Sequence, residues 1–368
     1  MWKKVIITVA VLVVLQHILT VLYIMGFHKR IYQHYPGPCR IIPEIDSGSE
    51  NIALLSNGLA LISSGCNPVH MGFVLDNEIL NHQGNIFLFD FNHPEKNATK
   101  LKLTGKDFEY ARFSAHGIDV YEDKKTGAVS VFVVNHRRDH EVIEVFQFDH
   151  KSLTLHHKKS VIDPIMRSVN DVTAVSSDAF YFTNDGYSTS FLTRNLETFL
   201  MLAKGNVVYY DGKKMRKVAD KGFGDNGIAV SPDNEFIYVA QPTGMIINVY
   251  ERNRDATLRL VQVIDLGTAP DNIFVEPGTG DLWLGCNPVL HRLMDNFKNK
   301  TVTAPSQVLH VKWEDPTRVT HGYTLSEVFL DTGDFLSTST IAAYHQSTKG
   351  LLIGTVVTKL AYCQINAF

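Results

Sequence analysis

Five residues with oxygen donors are candidates for a metal site. Glu50 and Asp271 carry carboxylates, and Asn170, Asn226 and Asn272 carry neutral amide oxygens. These are the ligands that Ca²⁺ prefers, and the set has no thiolate or imidazole that would favour zinc. The two negative charges would balance one Ca²⁺ ion. A structural role is the alternative, because buried Asn and Asp side chains also tie strands together through hydrogen bonds.

A repeated pattern predicts the elements that position these residues. The stretch 224–241 reads as a polar residue, a short apolar strand, a turn and a longer strand. Five other stretches repeat this plan, and the six openings are Asn57, His116, Asn170, Asn226, Asp271 and Ser339. They are 59, 54, 56, 45 and 68 residues apart, so each interval holds about four strands.

Six four-stranded units around one axis form an all-β, six-bladed β-propeller. The first strand of every blade then lines the central tunnel, so the six opening residues should converge near the axis. For any single copy, the dipeptides Asn-Gly and Asn-Asp are also ordinary turn signals. The segment 187–204 lacks strand alternation and predicts a short helix over one face.

The composition is that of an ordinary globular protein. The 368 residues are 45% apolar and 20% charged, with a formal net charge of -3. The chain has no excess of basic residues that would indicate a nucleic-acid partner. Because the repeats cover nearly the whole chain, we expect a single propeller domain.

The cysteines and the sequons favour an oxidising compartment. The four cysteines form no CxxC pair, which argues against a structural zinc site. Cys39 and Cys363 flank the repeats, and a disulfide between them would lock the two ends of the ring together. The sequons at Asn97 and Asn299 predict glycosylation in the same compartment.

The N-terminus predicts a membrane anchor. Residues 5–27 are almost wholly apolar, long enough to cross a bilayer, and lack a signal-peptidase site of the Ala-x-Ala type. Lysine and arginine flank both ends, so the cysteines and sequons decide the orientation. We expect residues 1–4 in the cytosol, a signal-anchor at 5–27, a stem at 28–38 and a propeller hydrolase domain at 39–368 in the lumen or outside the cell, in the endoplasmic reticulum or at the cell surface.

Motifs along the chain resemble the paraoxonase/arylesterase family from Cys39 to Cys363. They are GSE (48–50), NGLA (57–60), HGI (116–118), VVNH (133–136), ND (170–171), FY (180–181) with TND (183–185), DNI (271–273), GDLW (280–283) with GC (285–286), and LIGTV (352–356). The resemblance implies a six-bladed propeller that holds two calcium ions and hydrolyses lactones and aryl esters. It places a disulfide on Cys39 and Cys363 and a free thiol on Cys286.

The resemblance also assigns the site. It implies that the first calcium is held by Glu50, Asn170, Asn226, Asp271 and Asn272, and that it stabilises charge on a substrate carbonyl oxygen. A histidine pair falls on His116, which would take a proton from water, and on His136, which would hold its orientation. The alternative is a structural role, in which both histidines only form hydrogen bonds at strand ends. The chain has no GxSxG serine-esterase motif, which favours water as the nucleophile.

The chain departs from the family pattern at several positions. The second, buried calcium would use Asp171, the carbonyl of Ile118 and a carboxylate where this chain has Asn51, so we expect that ion to bind weakly. A family histidine is replaced by Asn287. The loop 66–83 and the segment 242–246 also differ, and because they would border the substrate, the substrate identity stays open.

A non-enzymatic function is the alternative to the hydrolase. The resemblance also includes membrane-anchored paraoxonase-like proteins that assist the assembly of ion channels in the secretory pathway. The predicted anchor favours this alternative, whereas the complete set of metal ligands and histidines favours catalysis on a small ester or lactone.

Overall fold

The computed structural model describes residues 2–66, 83–137, 140–188, 190–315 and 319–366. Most of the atypical loop predicted at 66–83 lies outside these residues. The described chain forms six sheets around one axis, as the repeat spacing predicted. The protein is therefore a six-bladed β-propeller.

The first three blades run in sequence order from the tunnel outwards, apart from one added outer strand in the second blade. Their strands are β2 (Ile52–Leu54), β3 (Leu59–Ser64), β4 (Asn85–Asp90) and β5 (Thr99–Lys100); β7 (Ala115–Glu122), β8 (Val129–His136), β9 (Glu141–Asp149) and β10 (Thr154–Val161), with β6 (Lys102–Thr104) parallel to β10; and β11 (Val169–Ala174), β12 (Phe180–Asn184), β13 (Gly205–Tyr210) and β14 (Met215–Gly222).

The last three blades follow the same plan, and the sixth is completed by the first strand of the chain. Their strands are β15 (Ile228–Val230), β16 (Phe236–Gln241), β17 (Ile246–Arg252) and β18 (Leu258–Asp265); β19 (Ala269–Val275), β20 (Leu282–Asn287), β21 (Ser306–Trp313) and β22 (Tyr323–Asp331); and β23 (Ser339–His345), β24 (Gly350–Thr355), β25 (Leu360–Gln364) and β1 (Cys39–Ile42).

The two ends of the chain close the ring in the sixth blade. Strand β1 pairs antiparallel with β25, and Cys39 lies directly opposite Cys363. The two cysteines form a disulfide that spans 324 residues of sequence. The disulfide predicted from their positions is therefore present.

Apolar side chains between adjacent sheets form the core. Phe132 of the second blade packs on Phe180 of the third, with ring centroids 5.4 Å apart. Trp283 of the fifth blade stacks on Tyr344 of the sixth at 4.6 Å. Large aromatic side chains fill the wedge between blades and bury much apolar area at each contact. This packing fixes the angle between blades, and with it the positions of the inner strands.

The first opening was assigned to the wrong residue. Asn57 is exposed and lies in the turn between β2 and β3, not beside the tunnel. Gly58 follows it with a φ of +84°, a conformation that glycine adopts without strain. Glu50 and Asn51, just before β2, take the place at the axis. In this copy the Asn-Gly dipeptide is an ordinary hairpin turn.

Three α-helices and one short 3-10 helix, at Tyr110–Arg112, accompany the sheets in the described part of the chain. Helix α1 is Trp2–Ile24, helix α2 is Phe191–Phe199, and helix α3 is Leu290–Lys298. Helix α2 confirms the helix predicted within 187–204. Helix α1 is long and apolar enough to cross a membrane, and it begins and ends three residues before the predicted span. An N-terminal anchor or a signal sequence accounts for it, and the disulfide indicates that the propeller lies outside the cytosol.

The end of helix α1 contacts the helix that follows β20. The carbonyl of Met25 accepts hydrogen bonds from the backbone N–H and from Nδ1 of His291, at 3.2 and 3.0 Å. Phe27 stacks on the His291 ring at 4.1 Å. Farther along the stem, the backbone of His34 pairs with that of Leu330 in β22. These contacts attach the N-terminal segment to the propeller.

Glycosylation at Asn97 and Asn299 is a prediction that the structure makes testable. Both side chains are exposed, and neither lies inside a strand or helix, so both are accessible to a glycosyltransferase. We expect treatment with an endoglycosidase to increase the electrophoretic mobility of the full-length protein from secretory membranes. The double variant Asn97→Gln/Asn299→Gln should migrate like the treated protein. Identical mobility with and without the enzyme would contradict a lumenal propeller.

Candidate active site

The innermost strands bring the predicted ligands to one end of the tunnel. The predicted donors are all buried or nearly so, and they come from four blades: Glu50 before β2, Asn170 in β11, Asn226 before β15, and Asp271 and Asn272 in β19. Asn272 Nδ2 donates to the backbone carbonyl and to Oε1 of Glu50, at 3.0 and 3.2 Å. Residues that are 222 positions apart in sequence therefore touch.

Breaks in the strand register aim these side chains. The pairing of β11 with β12 shifts between Val169 and Val172, and that of β19 with β20 shifts between Pro270 and Ile273. Asn170 and Asp171, like Asp271 and Asn272, therefore lie in bulges, which turn side chains away from the regular alternation. The pairs of neighbouring polar residues in the sequence mark these bulges.

Glycine lets the blades approach each other at the site. A Cβ on Gly117, next to His116, would lie 2.4 Å from Asp171 Oδ1, and a Cβ on Gly227, next to Asn226, would lie 2.5 Å from the Cα of Asn272. Any side chain at these positions would push two blades apart. Here the Asn-Gly dipeptide serves close packing, in contrast with the turn at Gly58.

Buried oxygen atoms without hydrogen-bond partners make this group suitable for a cation. Glu50 Oε2 and the Oδ1 atoms of Asn170, Asn226 and Asn272 are buried and have no hydrogen-bond partner among the described residues. Buried polar atoms are normally satisfied, so four such oxygens in one group require an explanation. All four are hard donors of the kind that Ca²⁺ takes. The first predicted metal site therefore fits a calcium ion.

Asp271 completes the group. Burial and the nearby Glu50 carboxylate raise the pKa of Asp271 well above its ordinary value. Asn287 Nδ2 donates to Asp271 Oδ2 at 3.1 Å, so Asn287 orients this carboxylate. A bound cation would supply the positive charge that the two buried carboxylates lack.

The second predicted ion meets a different arrangement. Asn51 Nδ2 donates to Asp171 Oδ1 at 2.8 Å, and Asn51 Oδ1 accepts from the backbone N–H of Ile52 at 2.7 Å. The other carboxylate oxygen of Asp171 accepts from the N–H of Ile228 at 3.0 Å. Both ends of the amide are fixed, so its N–H occupies the side that a cation would need. As it stands, this group does not fit an ion, and a second, weak calcium stays a prediction.

Replacing Asn51 by Asp tests this difference. Without calcium, Asn51→Asp should lower the melting temperature, because two buried carboxylates would then face each other. Saturating calcium should raise the melting temperature of the variant more than it raises that of wild type. The variant should also bind one more calcium ion per chain than wild type. Native mass spectrometry and a melting series over calcium concentration measure both effects.

The neutral variant Asn51→Leu is the matched control. It also removes the hydrogen bond to Asp171 but adds no charge, so it should lose stability without gaining calcium. An unchanged calcium content in Asn51→Asp would contradict the idea that one missing carboxylate empties this site.

The two predicted histidines lie side by side. The ring centroids of His116 and His136 are 4.8 Å apart, and both side chains are buried. His116 Nε2 lies 3.3 Å from Glu50 Oε1, so one carboxylate contacts both the histidine pair and the oxygen donors. His136 Nδ1 donates to Glu141 Oε2 at 2.6 Å. A carboxylate thus fixes the tautomer and orientation of His136.

A cysteine joins this pair. The sulfur of Cys66 and one ring nitrogen from each of His116 and His136 all lie within 4.8 Å of one another. Burial opposes protonation of His116, but the adjacent Cys66 and Glu50 groups outweigh it, so the pKa of His116 lies well above its ordinary value. Burial raises the pKa of the Cys66 thiol. The other cysteine without a disulfide, Cys286, is also buried.

A cavity leads from solvent to these groups. Together with the open solvent at its mouth it has about 1020 Å³ of empty space, and its floor includes Glu50, His116, Asn170, Asn226 and Asp271. Helices α2 and α3 supply much of its wall, and most wall side chains are apolar, among them Leu202, Phe223, Leu290, Leu293, Met294 and Phe297. An apolar cavity with a few polar groups at its base is the usual form of a site for a small organic ligand.

Glu141, the role of Cys66 and helix α3 were not predicted from the sequence. The helix had a detectable signal, since Leu290, Leu293, Met294 and Phe297 repeat at helical spacing. Glu141 and Cys66 had none, because each meets the histidines only after β3, β7, β8 and β9 are assembled. Of the predicted residues, Ile118 lies in β7 beside the Asn51 and Asp171 pair, where the second ion was expected.

Comparison with known proteins shows the same family along nearly the whole chain. The arylesterase family model matches residues 33–365. Serum paraoxonase/arylesterase 2 of Gallus gallus is 36% identical over 329 residues, which cover 89% of this chain and 88% of that protein. Serum paraoxonase/arylesterase 1 of Homo sapiens is 34% identical over 327 residues, with 89% and 88% covered.

Solved structures with much lower identity share the fold. A luciferin-regenerating enzyme has a TM-score of 0.53 at 10% identity and covers 89% of this chain and 94% of its own. A calcium-binding protein, regucalcin, of Agrobacterium tumefaciens has a TM-score of 0.50 at 12% identity, with 91% and 96% covered. These two similarities concern the propeller alone.

Proposed function

Because the chain belongs to the arylesterase family, we propose that it is a calcium-dependent hydrolase of aryl esters and lactones. Membership of this family supports a hydrolase. The observation that carries the finer proposal is the group of four buried oxygens without partners, which lies next to a histidine pair at the base of an apolar cavity.

Glu50, Asn170, Asn226, Asp271 and Asn272 would hold the calcium ion. When bound, Ca²⁺ supplies the positive charge that stabilises negative charge developing on a substrate oxygen. Asn287 keeps the Asp271 carboxylate in place, and the bulges at β11 and β19 hold the amide oxygens on one side of the tunnel. The apolar wall orients the substrate and excludes water from all but the reacting position.

His116 is the proposed general base. It lines the cavity together with Glu50 and Asp271, and its Nε2 lies 3.3 Å from Glu50 Oε1, so its ring is next to the proposed metal ligands. The Glu50 carboxylate favours protonated His116. A calcium ion bound to Glu50 would weaken that effect and so favour the neutral imidazole, which can accept a proton. His136, held by Glu141, packs against His116 and keeps its ring in position.

Hydrolysis assays on the full-length protein in lipid nanodiscs test the proposal. We expect turnover of phenyl esters and of aliphatic lactones that requires free calcium and stops when a chelator is added. Folded, calcium-loaded protein that hydrolyses no ester, lactone or phosphotriester would overturn the proposal. The non-enzymatic assembly function that the motif resemblance also allows would then be the leading hypothesis.

Replacement of a single ligand should reduce both metal binding and turnover. Asp271→Ala removes one of the two carboxylates, so we expect calcium affinity to fall by about tenfold or more, and activity to fall with it. Calorimetric calcium titration and ester hydrolysis measure the two effects on the same sample. Asp265→Ala, an exposed carboxylate at the end of β18, is the matched control and should change neither.

A further inference from the structure

Three side chains with nitrogen and sulfur donors meet beside the oxygen donors. Cys66 follows β3, His116 lies in β7 and His136 ends β8, so two blades contribute to the group. Their exposed fractions are 6%, 1% and 3%, and the sulfur and two ring nitrogens lie within 4.8 Å of one another. The family resemblance assigns a role to the two histidines and none to Cys66.

We propose that Cys66, His116 and His136 form a second metal site, which binds a transition-metal ion of the zinc class and is distinct from the calcium site. Thiolate and imidazole are the donors that such ions prefer, whereas the adjacent group offers only oxygen. Three protein ligands and one open position are the arrangement of many zinc sites. On binding, the thiol gives up its proton to solvent and the sulfur becomes a ligand.

The donor separations suit this coordination after a small adjustment. Tetrahedral zinc with the usual bond lengths places its ligand atoms about 3.5 Å apart. The three donor atoms already lie within 4.8 Å of one another. Side-chain rotations that move these atoms by about 1 Å would bring them to the tetrahedral separation. His116 Nδ1 is buried and has no hydrogen-bond partner in the described part of the chain, which leaves a nitrogen in this group available to a metal.

Glu141 gives this group the second feature of a metal site. Histidine ligands usually donate the N–H of their other nitrogen to a carboxylate, which fixes the tautomer and strengthens the ligand. Glu141 Oε2 accepts from His136 Nδ1 at 2.6 Å in this way, so Nε2 is the nitrogen that a neutral His136 ring would offer to a metal. An ordinary strand-end histidine does not require this arrangement.

A second group of three possible donors elsewhere in the molecule lacks these features of a transition-metal site. Glu276, Asp281 and His310 also place three donor atoms within 4.8 Å. There, however, the indole N–H of Trp283 donates to Glu276 at 3.3 Å, and the backbone N–H of Trp313 donates to Asp281 at 3.1 Å. Those carboxylates already serve as acceptors within the blade, and no thiol is present.

The metal would compete with catalysis. A neutral imidazole has one basic nitrogen, and coordination of His116 would occupy it, so transition-metal binding and ester hydrolysis should exclude each other. This consequence rests on the proposed function, whereas the site itself does not. Metal binding can therefore be measured without any assay of turnover.

Cobalt binding to the full-length, calcium-saturated protein is the test, with Co²⁺ as a coloured substitute for zinc. We expect one Co²⁺ per chain and a thiolate-to-cobalt charge-transfer band in the near ultraviolet, displaced by Zn²⁺. Saturating calcium keeps Co²⁺ away from the oxygen donors, and cobalt bound to oxygen alone gives no thiolate band. Cys66→Ala should lose the band, and Glu141→Gln should keep it with affinity lower by about tenfold.

Cys286→Ser is the matched control, since it removes the other buried thiol and should keep the band unchanged. Unaltered calcium-dependent melting shows that each variant is folded. Absence of the band from the wild-type protein, its persistence in Cys66→Ala, or its loss in Cys286→Ser would each overturn the proposal. Because none of these results depends on hydrolysis, failure of this proposal is distinguishable from failure of the proposed function.

Discussion

Replacing His116 by Gln should reduce ester hydrolysis by about 10²-fold or more, the loss expected when a general base is removed. Glutamine can keep the contact with Glu50, because its amide N–H reaches a similar position to Nε2, which lies 3.3 Å from Glu50 Oε1. It cannot accept a proton from water at neutral pH. The turnover number should therefore fall, while calcium affinity and melting temperature in calcium stay close to those of wild type.

The pattern of losses distinguishes a general base from a structural histidine. A merely structural His116 would lower the melting temperature or the calcium affinity along with activity, as Asp271→Ala should. His150→Gln is the matched control, since His150 is exposed in the turn after β9 and should leave activity unchanged. Wild-type turnover in folded His116→Gln would exclude the histidine from proton transfer.

Loss of the Cys39–Cys363 disulfide should have the largest effect on stability. The disulfide closes a loop of 324 residues, for which the chain-entropy model gives about 6 kcal/mol of stabilisation. Total stabilities are about 5–15 kcal/mol, so Cys39→Ala/Cys363→Ala should lose much of the free energy of unfolding. We expect a large fall in melting temperature, and unfolding that starts by separation of β1 from β25.

Cys286→Ala serves as the control for this effect. It also removes a buried sulfur, from a side chain that is 0% exposed, but it leaves the ring covalently closed. Chemical denaturation of the two variants separates the loss of packing from the loss of ring closure. If both lose stability equally, the disulfide contributes only its packing, and pairing of β1 with β25 alone holds the ring.

The repeat in the sequence determined the fold because each copy specifies its own hairpin through local residue preferences. A short apolar strand, a turn and a longer strand encode one hairpin, and six copies at blade spacing leave a propeller as the architecture that buries every sheet. The ligand set was equally readable, since Asn170, Asn226 and Asp271 stand at the same place in their repeats. The N-terminal helix and the disulfide followed from composition and from the positions of Cys39 and Cys363.

Two identical Asn-Gly dipeptides lie in different environments that local sequence does not distinguish. Asn57-Gly58 and Asn226-Gly227 have the same local propensity, yet the first is an exposed turn and the second is buried against Asn272. The difference depends on which neighbouring blade comes close, and that is a property of the assembled ring. Local sequence therefore predicted openings that line the cavity at His116, Asn170, Asn226 and Asp271, and misplaced Asn57.

Only the tertiary structure decided which side chains satisfy one another. The hydrogen bond from Asn51 to Asp171 spans 120 residues, and it explains why the second predicted ion meets an occupied position. Cys66 and Glu141 contact the histidine pair across neighbouring strands. The spacing of residues in the sequence does not reveal these contacts. Residue types fix what chemistry is available to a chain, whereas burial and distance, which arise only when six blades pack around one axis, determine which groups meet.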